Sequence, residues 1–262
     1  MDLCHPQYER LICGENANDT TKCLTGAQAA KVRALYEPFY GDNGTLLYPR
    51  LQPGTEITSF GTYFSGTLSS LFSDWFKYAV YDPSFDARTL DRNDLTFAAA
   101  HDPFNISTYD PDLSAFERKG GKLLTLHGLE DNIIPAEIST LYYHRVAETM
   151  SRSPSALDVF YRYFRVSGLS HCALGTGAYS VGMYSFGRVD NALEQDPDDN
   201  VLARIVAWVE RGEAPEYIRG TAFVGGSPAS GIAYKRKHCK YPLRNVYIGK
   251  GNYTEENGWR CQ

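Results

Sequence analysis

The run Gly120-Gly121-Lys122-Leu123-Leu124-Thr125-Leu126-His127-Gly128-Leu129-Glu130-Asp131-Asn132-Ile133-Ile134-Pro135 limits the folds open to this chain of 262 residues more than any other stretch. Its apolar segment, Leu123 to Leu126, is led in by two glycines and broken by His127-Gly128, the pattern of a short buried strand. Asp131 follows in the loop past the strand's C-terminal end. Ala136 to Met150 then carries Ile138, Leu141, Tyr142 and Val146 at helical spacing. A second unit of the same kind comes next. Val159 to Val166 alternates and is rich in β-formers, so it reads as a strand, and Ser167-Gly168-Leu169-Ser170-His171-Cys172 lies at its C-terminal end. A carboxylate and then a histidine therefore end two successive strands, and in open α/β sheets functional groups gather where strands end.

Acid before base is the order of the last two members of the nucleophile–acid–base triad in α/β-hydrolases. The blocks around Asp131 and around Gly168-Leu169-Ser170-His171-Cys172 resemble the acid and base blocks of the fungal tannase/feruloyl esterase family. Leu47-Tyr48-Pro49-Arg50-Leu51-Gln52-Pro53-Gly54-Thr55-Glu56 and Asp110-Pro111-Asp112-Leu113-Ser114-Ala115-Phe116 resemble further blocks of it, so the similarity runs over nearly the whole chain. It implies an α/β fold: the C-terminal part of an α/β-hydrolase plus most of a lid domain, with residues 1–115 as the lid portion and 116–262 as part of the catalytic domain. It also implies hydrolysis of phenolic acid esters through a Ser-Asp-His triad, with Asp131 as acid and His171 as base. Taken alone, Asp131 reads as a turn or N-cap residue and His171 as a surface histidine beside a buried thiol; within the matched blocks they are the acid–base pair. Asp131 is preferred over Glu130 because it holds the aspartate position of the family's His-Gly-x-x-Asp pattern. His127 reads as a structural hydrogen-bonder at the strand end.

The triad's nucleophile has no counterpart in the sequence. No Gly-x-Ser-x-Gly elbow occurs. Gly225-Gly226-Ser227-Pro228-Ala229 ends in alanine and follows His171, the wrong order, and Gly168-Leu169-Ser170-His171-Cys172 ends in cysteine. The chain thus resembles the family's C-terminal half, with the nucleophile and the oxyanion hole expected upstream. The alternative is a catalytically inactive secreted relative, or a truncated gene product, lacking the nucleophile. The resemblance also assigns the cysteines: Cys13 with Cys23 and Cys239 with Cys261 as disulfides, Cys4 and Cys172 left as orphans. In the family, the cysteine after the base is bonded to one preceding the serine. A Cys4–Cys172 bridge stays open to the residues alone, though the resemblance argues against it. The family carries a structural calcium in a lid loop just before the position of Cys4, so its ligands are not expected in this chain.

Composition bears on compartment and partners. Net charge is −5 and, apart from a tail from Tyr234 that is basic early, no basic run appears, which argues against nucleic acid. No apolar stretch approaches the roughly 18 residues of a membrane span. The residues after Met1 show no signal peptide. Yet four sequons (at Asn18, Asn43, Asn105 and Asn252) beside a disulfide framework favour a secreted glycoprotein, with the signal peptide expected upstream. Zinc is disfavoured because the three His-Cys neighbour pairs lack Cys-x2–4-Cys or His-x3–5-His spacing. Gly175-Thr176-Gly177-Ala178 misses the spacing of a nucleotide-binding loop. Aromatics crowd residues 60–80 (Phe60, Tyr63, Phe64, Phe72, Trp75, Phe76, Tyr78), reading as a packed helix face or, by resemblance, partly as the lining of an aromatic acyl pocket. Thr25 is placed to cap a helix, and Asn200 to Arg211, closed by Gly212, is the clearest amphipathic helix, with Val201, Leu202, Ile205, Val206 and Val209 expected to pack on the sheet. The expected partner is a small-molecule or plant cell-wall phenolic ester.

Overall fold

A computed structural model describes residues 6–14, 19–55, 66, 68–182, 196–249 and 251–262. The chain divides into two compact units, residues 1–108 and 109–262.

In the first unit, helix α1, Gly26–Leu35, starts at Thr25 with a reciprocal cap: Thr25 Oγ1 accepts from Gln28 N at 3.2 Å, and Gln28 Oε1 accepts from Thr25 N at 2.8 Å. Two short antiparallel strands follow, β1 (Phe39–Tyr40) and β2 (Leu46–Tyr48). Helix α2, Ser70–Trp75, runs into a wider π turn, Phe76–Val80, and Asp91 caps helix α3, Arg92–His101. The aromatics here pack on one another. Phe76 is buried, Tyr81 stacks on Phe85 at 4.4 Å and on Phe97 at 5.5 Å, and Phe97 stacks on His101 at 5.4 Å. Phe72 and Tyr78 are exposed, and Phe60, Tyr63 and Phe64 lie outside the described residues. A Cys13–Cys23 disulfide closes the loop before α1.

The second unit holds the two strand–loop segments foreseen above. After the short helix α4, Ser114–Arg118, comes strand β3, Leu123–Gly128. It runs two residues past Leu126 because the parallel ladder continues: His127 pairs with Arg165 and Gly128 with Val166 of strand β4, Tyr161–Val166. Helix α5, Glu137–Thr149, and the single-turn helix α6, Pro154–Leu157, make the crossover. Val159 stays outside β4 and is exposed, because the chain is still turning there, with Phe160 N donating to Leu157 O at 2.9 Å.

Strand β4 is the spine of the unit. Tyr161 and Tyr163 point to one side, into a core with Tyr143, Val146, Leu157 and Phe160; Phe164 and Val166 point to the other, with Leu169, Val181 and Ile218. Helix α7, Val201–Arg211, is capped by the Asn200 side chain and closed by Gly212 at φ 73°. Its packing meets expectation only in part: Val201 packs against the cluster of Phe164, Val166 and Ile218. Ala207 and Trp208 are its buried positions, whereas Leu202, Val206 and Val209 are exposed. The indole is instead flanked by cations, Arg162 Cζ at 5.4 Å and Lys122 Nζ at 5.5 Å from the ring. Strands β5 (Tyr217–Phe223) and β6 (Ile232–Cys239) pair antiparallel, and a single bridge from Phe164 to Lys240 ties β4 to the end of β6. The Cys239–Cys261 disulfide links β6 to β8 (Trp259–Cys261), which pairs with β7 (Asn245–Tyr247). No helix among the described residues is long and apolar enough to cross a membrane.

Candidate active site

The loops that end β3 and β4 are laced together by their backbones. Leu129 N donates to Val166 O and Glu130 N to Leu169 O, both at 2.9 Å. Gly128 makes this approach feasible: a Cβ there would lie 2.3 Å from Leu169 O and 2.6 Å from Ser170 O. After β4, Gly168 turns the chain at φ 78°, and a side chain on it would meet Gly177 Cα at 2.3 Å. The run Gly175-Thr176-Gly177 therefore folds back over the loop that carries His171. Thr176 fastens it there, its backbone N–H donating to Glu130 Oε2 at 2.9 Å and its hydroxyl to Glu130 Oε1. Glu130 is thus engaged in fixing this loop, leaving Asp131 to face the histidine.

Asp131 is buried, at 4% exposure. Its Oδ1 accepts from the backbone N–H groups of Ile133 and Ile134, each at 2.9 Å. Its Oδ2 accepts from His171 Nδ1 at 2.9 Å and lies 3.4 Å from His127 Nε2. Burial pushes the carboxyl's pKa up, but the donors from His127, Ile134, Ile133 and His171 outweigh it and hold the group below its ordinary value. A carboxylate oxygen only accepts, so Nδ1 of His171 carries the proton, and in neutral imidazole Nε2 then keeps its lone pair. The His171 side chain is about a third exposed (35%), and no described residue hydrogen-bonds its Nε2. The pair can accept a proton at Nε2 and stabilise the resulting imidazolium.

Cys172, beside His171, is a free and exposed thiol at φ 60°. Partial burial and the Asp131 carboxylate push its pKa up, which keeps it protonated at neutral pH. Cys4 lies outside the described residues. So does Asn18, while Asn43, Asn105 and Asn252 are exposed. Ser170 is buried, and Gly225-Gly226-Ser227-Pro228-Ala229 forms the turn between β5 and β6. Among the described residues no three His, Cys, Asp or Glu side chains gather as cation ligands. Two contributors were not foreseen: the Glu130–Thr176 clamp and the contact of His127 with Asp131. The second has a local signal, since His127 and Asp131 are four residues apart across a turn.

A model of the family described as tannase and feruloyl esterase matches residues 1–262. Similar curated proteins include a probable feruloyl esterase B of Aspergillus clavatus, 51% identical over 263 residues, covering 99% of this chain and 49% of the relative. Feruloyl esterase C of Talaromyces stipitatus is 48% identical over 264 residues, covering all of this chain and 48% of its own. The chain thus spans about half the length of these relatives. The crystal structure of an esterase from Aspergillus oryzae superimposes with a TM-score of 0.93 at 48% identity, covering 100% of this chain and 51% of that one. Feruloyl esterase B of the same organism gives 0.91 at 45% identity, with the same coverage. These likenesses agree with an α/β-type hydrolase fold. On the match along its full length and on the level of identity, the chain belongs to the tannase and feruloyl esterase family.

Proposed function

We propose that this chain supplies the acid and base of a serine carboxylic ester hydrolase acting on phenolic acid esters. The observation that carries the reading is the 2.9 Å hydrogen bond from His171 Nδ1 to Asp131 Oδ2, on a carboxylate whose other oxygen is held by two backbone N–H groups. The relatives named feruloyl esterase supply the substrate class. In this reading His171 Nε2 removes the proton of a serine as its oxygen attacks the ester carbonyl. The same nitrogen returns the proton to the departing alcohol. Water, activated in the same way, then hydrolyses the acyl-serine to the phenolic acid. Asp131 fixes the tautomer and stabilises the imidazolium.

The serine and its oxyanion hole belong, in this proposal, to a part of the protein outside this sequence. The chain is then most of a lid, residues 1–115, followed by the C-terminal part of the hydrolase fold, residues 116–262. A structural calcium, secretion, glycosylation at Asn18, Asn43, Asn105 and Asn252, and pairing of Cys172 with a cysteine beside the serine follow from the same reading. A second reading is favoured by the missing Gly-x-Ser-x-Gly elbow: a secreted, inactive relative.

The deciding experiment measures intact mass and N-terminal sequence of the native deglycosylated protein, then its turnover of methyl ferulate and methyl gallate. A product much heavier than 29.3 kDa that is phosphonylated by a fluorophosphonate with loss of fluoride and inactivated by His171→Ala supports the enzyme. The 262-residue chain alone is expected to turn over neither ester. Turnover by that chain, abolished by His171→Ala, would mean a different nucleophile. A native product that begins near Met1 and is inert would establish the second reading.

A further inference from the structure

We infer that His127 is a positioning residue for the acid–base pair, its Nε2–H holding the Asp131 carboxylate in the orientation that His171 needs. The inference rests on the reading of Asp131 and His171 as acid and base. His127 is the last but one residue of the β3 ladder and its side chain is 11% exposed. Its Nε2 lies 3.1 Å from Ile134 O and 3.4 Å from Asp131 Oδ2. Both neighbours only accept, so Nε2 must carry a hydrogen. In neutral imidazole, Nδ1 then holds the lone pair and, at 2.7 Å, accepts the hydroxyl hydrogen of Ser139. A directed chain results: Ser139 donates to His127, the Nε2–H of His127 is shared between Ile134 O at 3.1 Å and, as the longer arm, Asp131 Oδ2 at 3.4 Å, and His171 donates to the same carboxylate oxygen. Ser139 does for the tautomer of His127 what Asp131 does for that of His171.

The arrangement restrains one particular degree of freedom. Oδ1 of Asp131 is pinned by Ile133 N and Ile134 N, which fixes one end of the carboxylate. Its tilt about that end is set by what holds Oδ2. His171 cannot set it alone, because its side chain is partly exposed and is itself the group to be positioned. The shielded imidazole of His127, fixed by Ser139 and by Ile134 O, can. Losing it leaves the carboxylate ionised and present but free to tilt, carrying the His171 ring with it. Misplacements of about 1 Å cost up to about 100-fold in rate.

The test uses the full-length enzyme and methyl ferulate. His127→Ala is expected to lower kcat by about 10- to 100-fold with KM changed by less than about twofold, because substrate binding is untouched. His127→Gln, whose amide nitrogen can still donate to Asp131, should restore kcat to within about fivefold of wild type. Ser139→Ala should lower kcat in the same direction by a smaller factor and shift the downfield proton resonance of His171 Nδ1–H. An unchanged kcat in His127→Ala would overturn the inference, provided His171→Ala is dead. Equal losses in the Ala and Gln variants would overturn it too, since a space-filling role does not need a donor. Should His127→Ala fail to fold, the Gln variant and the Ser139→Ala resonance decide: an unshifted resonance with unchanged kcat refutes the chain. If wild type is inert, or His171→Ala keeps its activity, it is the acid–base reading that fails.

Discussion

His238 offers a test of how the base loop is held. It lies on β6 with 1% exposure, and its Nε2 donates to Ala178 O at 2.9 Å. Ala178 is two residues beyond Thr176, which clamps Glu130 beside the acid. Burial pushes the His238 pKa down; the Ala178 carbonyl opposes this in part, the Arg236 charge adds to it, and the result is about 4. An unfolded histidine titrates near about 6.5. Between these values the unfolded chain binds a proton that the folded chain refuses, so stability rises with pH and is lost as pH falls from about 6.5 to about 4. At about 1.4 kcal/mol per pH unit over about 2.5 units, the loss attributable to this side chain is about 3 kcal/mol. His238→Gln keeps a donor for Ala178 O and removes the titration. Unfolding free energies of the full-length protein and of this variant, measured by urea denaturation across that window, should converge on acidification. The variant starts lower, because its amide fits the site less well, but it sheds about 3 kcal/mol less. Curves that stay parallel within about 0.5 kcal/mol would refute the assignment of acid sensitivity to His238.

Two further outcomes follow from the same geometry. Gly128→Ala places a methyl against two backbone oxygens that cannot rotate away, at 2.3 and 2.6 Å; it should destabilise by about 2–3 kcal/mol in chemical denaturation and, under the proposed function, lower turnover of methyl ferulate by the full-length protein. Asp199 is buried and paired with Arg219 at 2.7 Å and Lys235 at 2.8 Å. Asp199→Asn should cost about 2 kcal/mol rather than the 3–5 of a fully buried pair, since Lys235 is partly exposed and Asp196 and Asp198 remain near Arg219, each at 4.0 Å; a loss below about 0.5 kcal/mol in thermal unfolding would contradict this.

The two strand–helix signals were legible because period and punctuation agreed with the tertiary outcome. Leu123 to Leu126 is apolar at every position but one and forms a parallel strand, half-buried along Leu123–His127 rather than buried, and Thr25 and Asn200 sit at helix starts where their side chains accept backbone N–H groups. Element ends were less legible. Whether β3 stops at Leu126 or Gly128 depends on β4 offering partners as far as Val166, which is a property of two segments at once. The face of α7 was legible only in part, at Val201, for a similar reason. Five apolar residues at helical spacing mark a stripe, but the chain buries Trp208 against Arg162 and Lys122, and an indole between two cations leaves no periodic trace.

The site shows the same division between local and distant causes. Every group that orients Asp131 comes from residues 127–171: a turn that offers Ile133 N and Ile134 N, a histidine four residues back, and the base at the end of the neighbouring strand. That is why a short block such as His-Gly-x-x-Asp can carry a recognisable acid. The histidine and the glycine have separate physical jobs in it, the first to donate to the carboxylate and the second to let the base loop approach. The clamp of Glu130 on Thr176 is different in kind. It joins positions 46 residues apart, and neither residue type is diagnostic by itself. Glu130 and Asp131 are adjacent acids in one loop, and the fold separates their tasks by aiming one carboxylate at a backbone to be held and the other at an imidazole to be oriented. Exchanging those tasks is not open to the chain, because Asp131 already has Oδ1 committed to its own turn and only Oδ2 is left to meet the histidines.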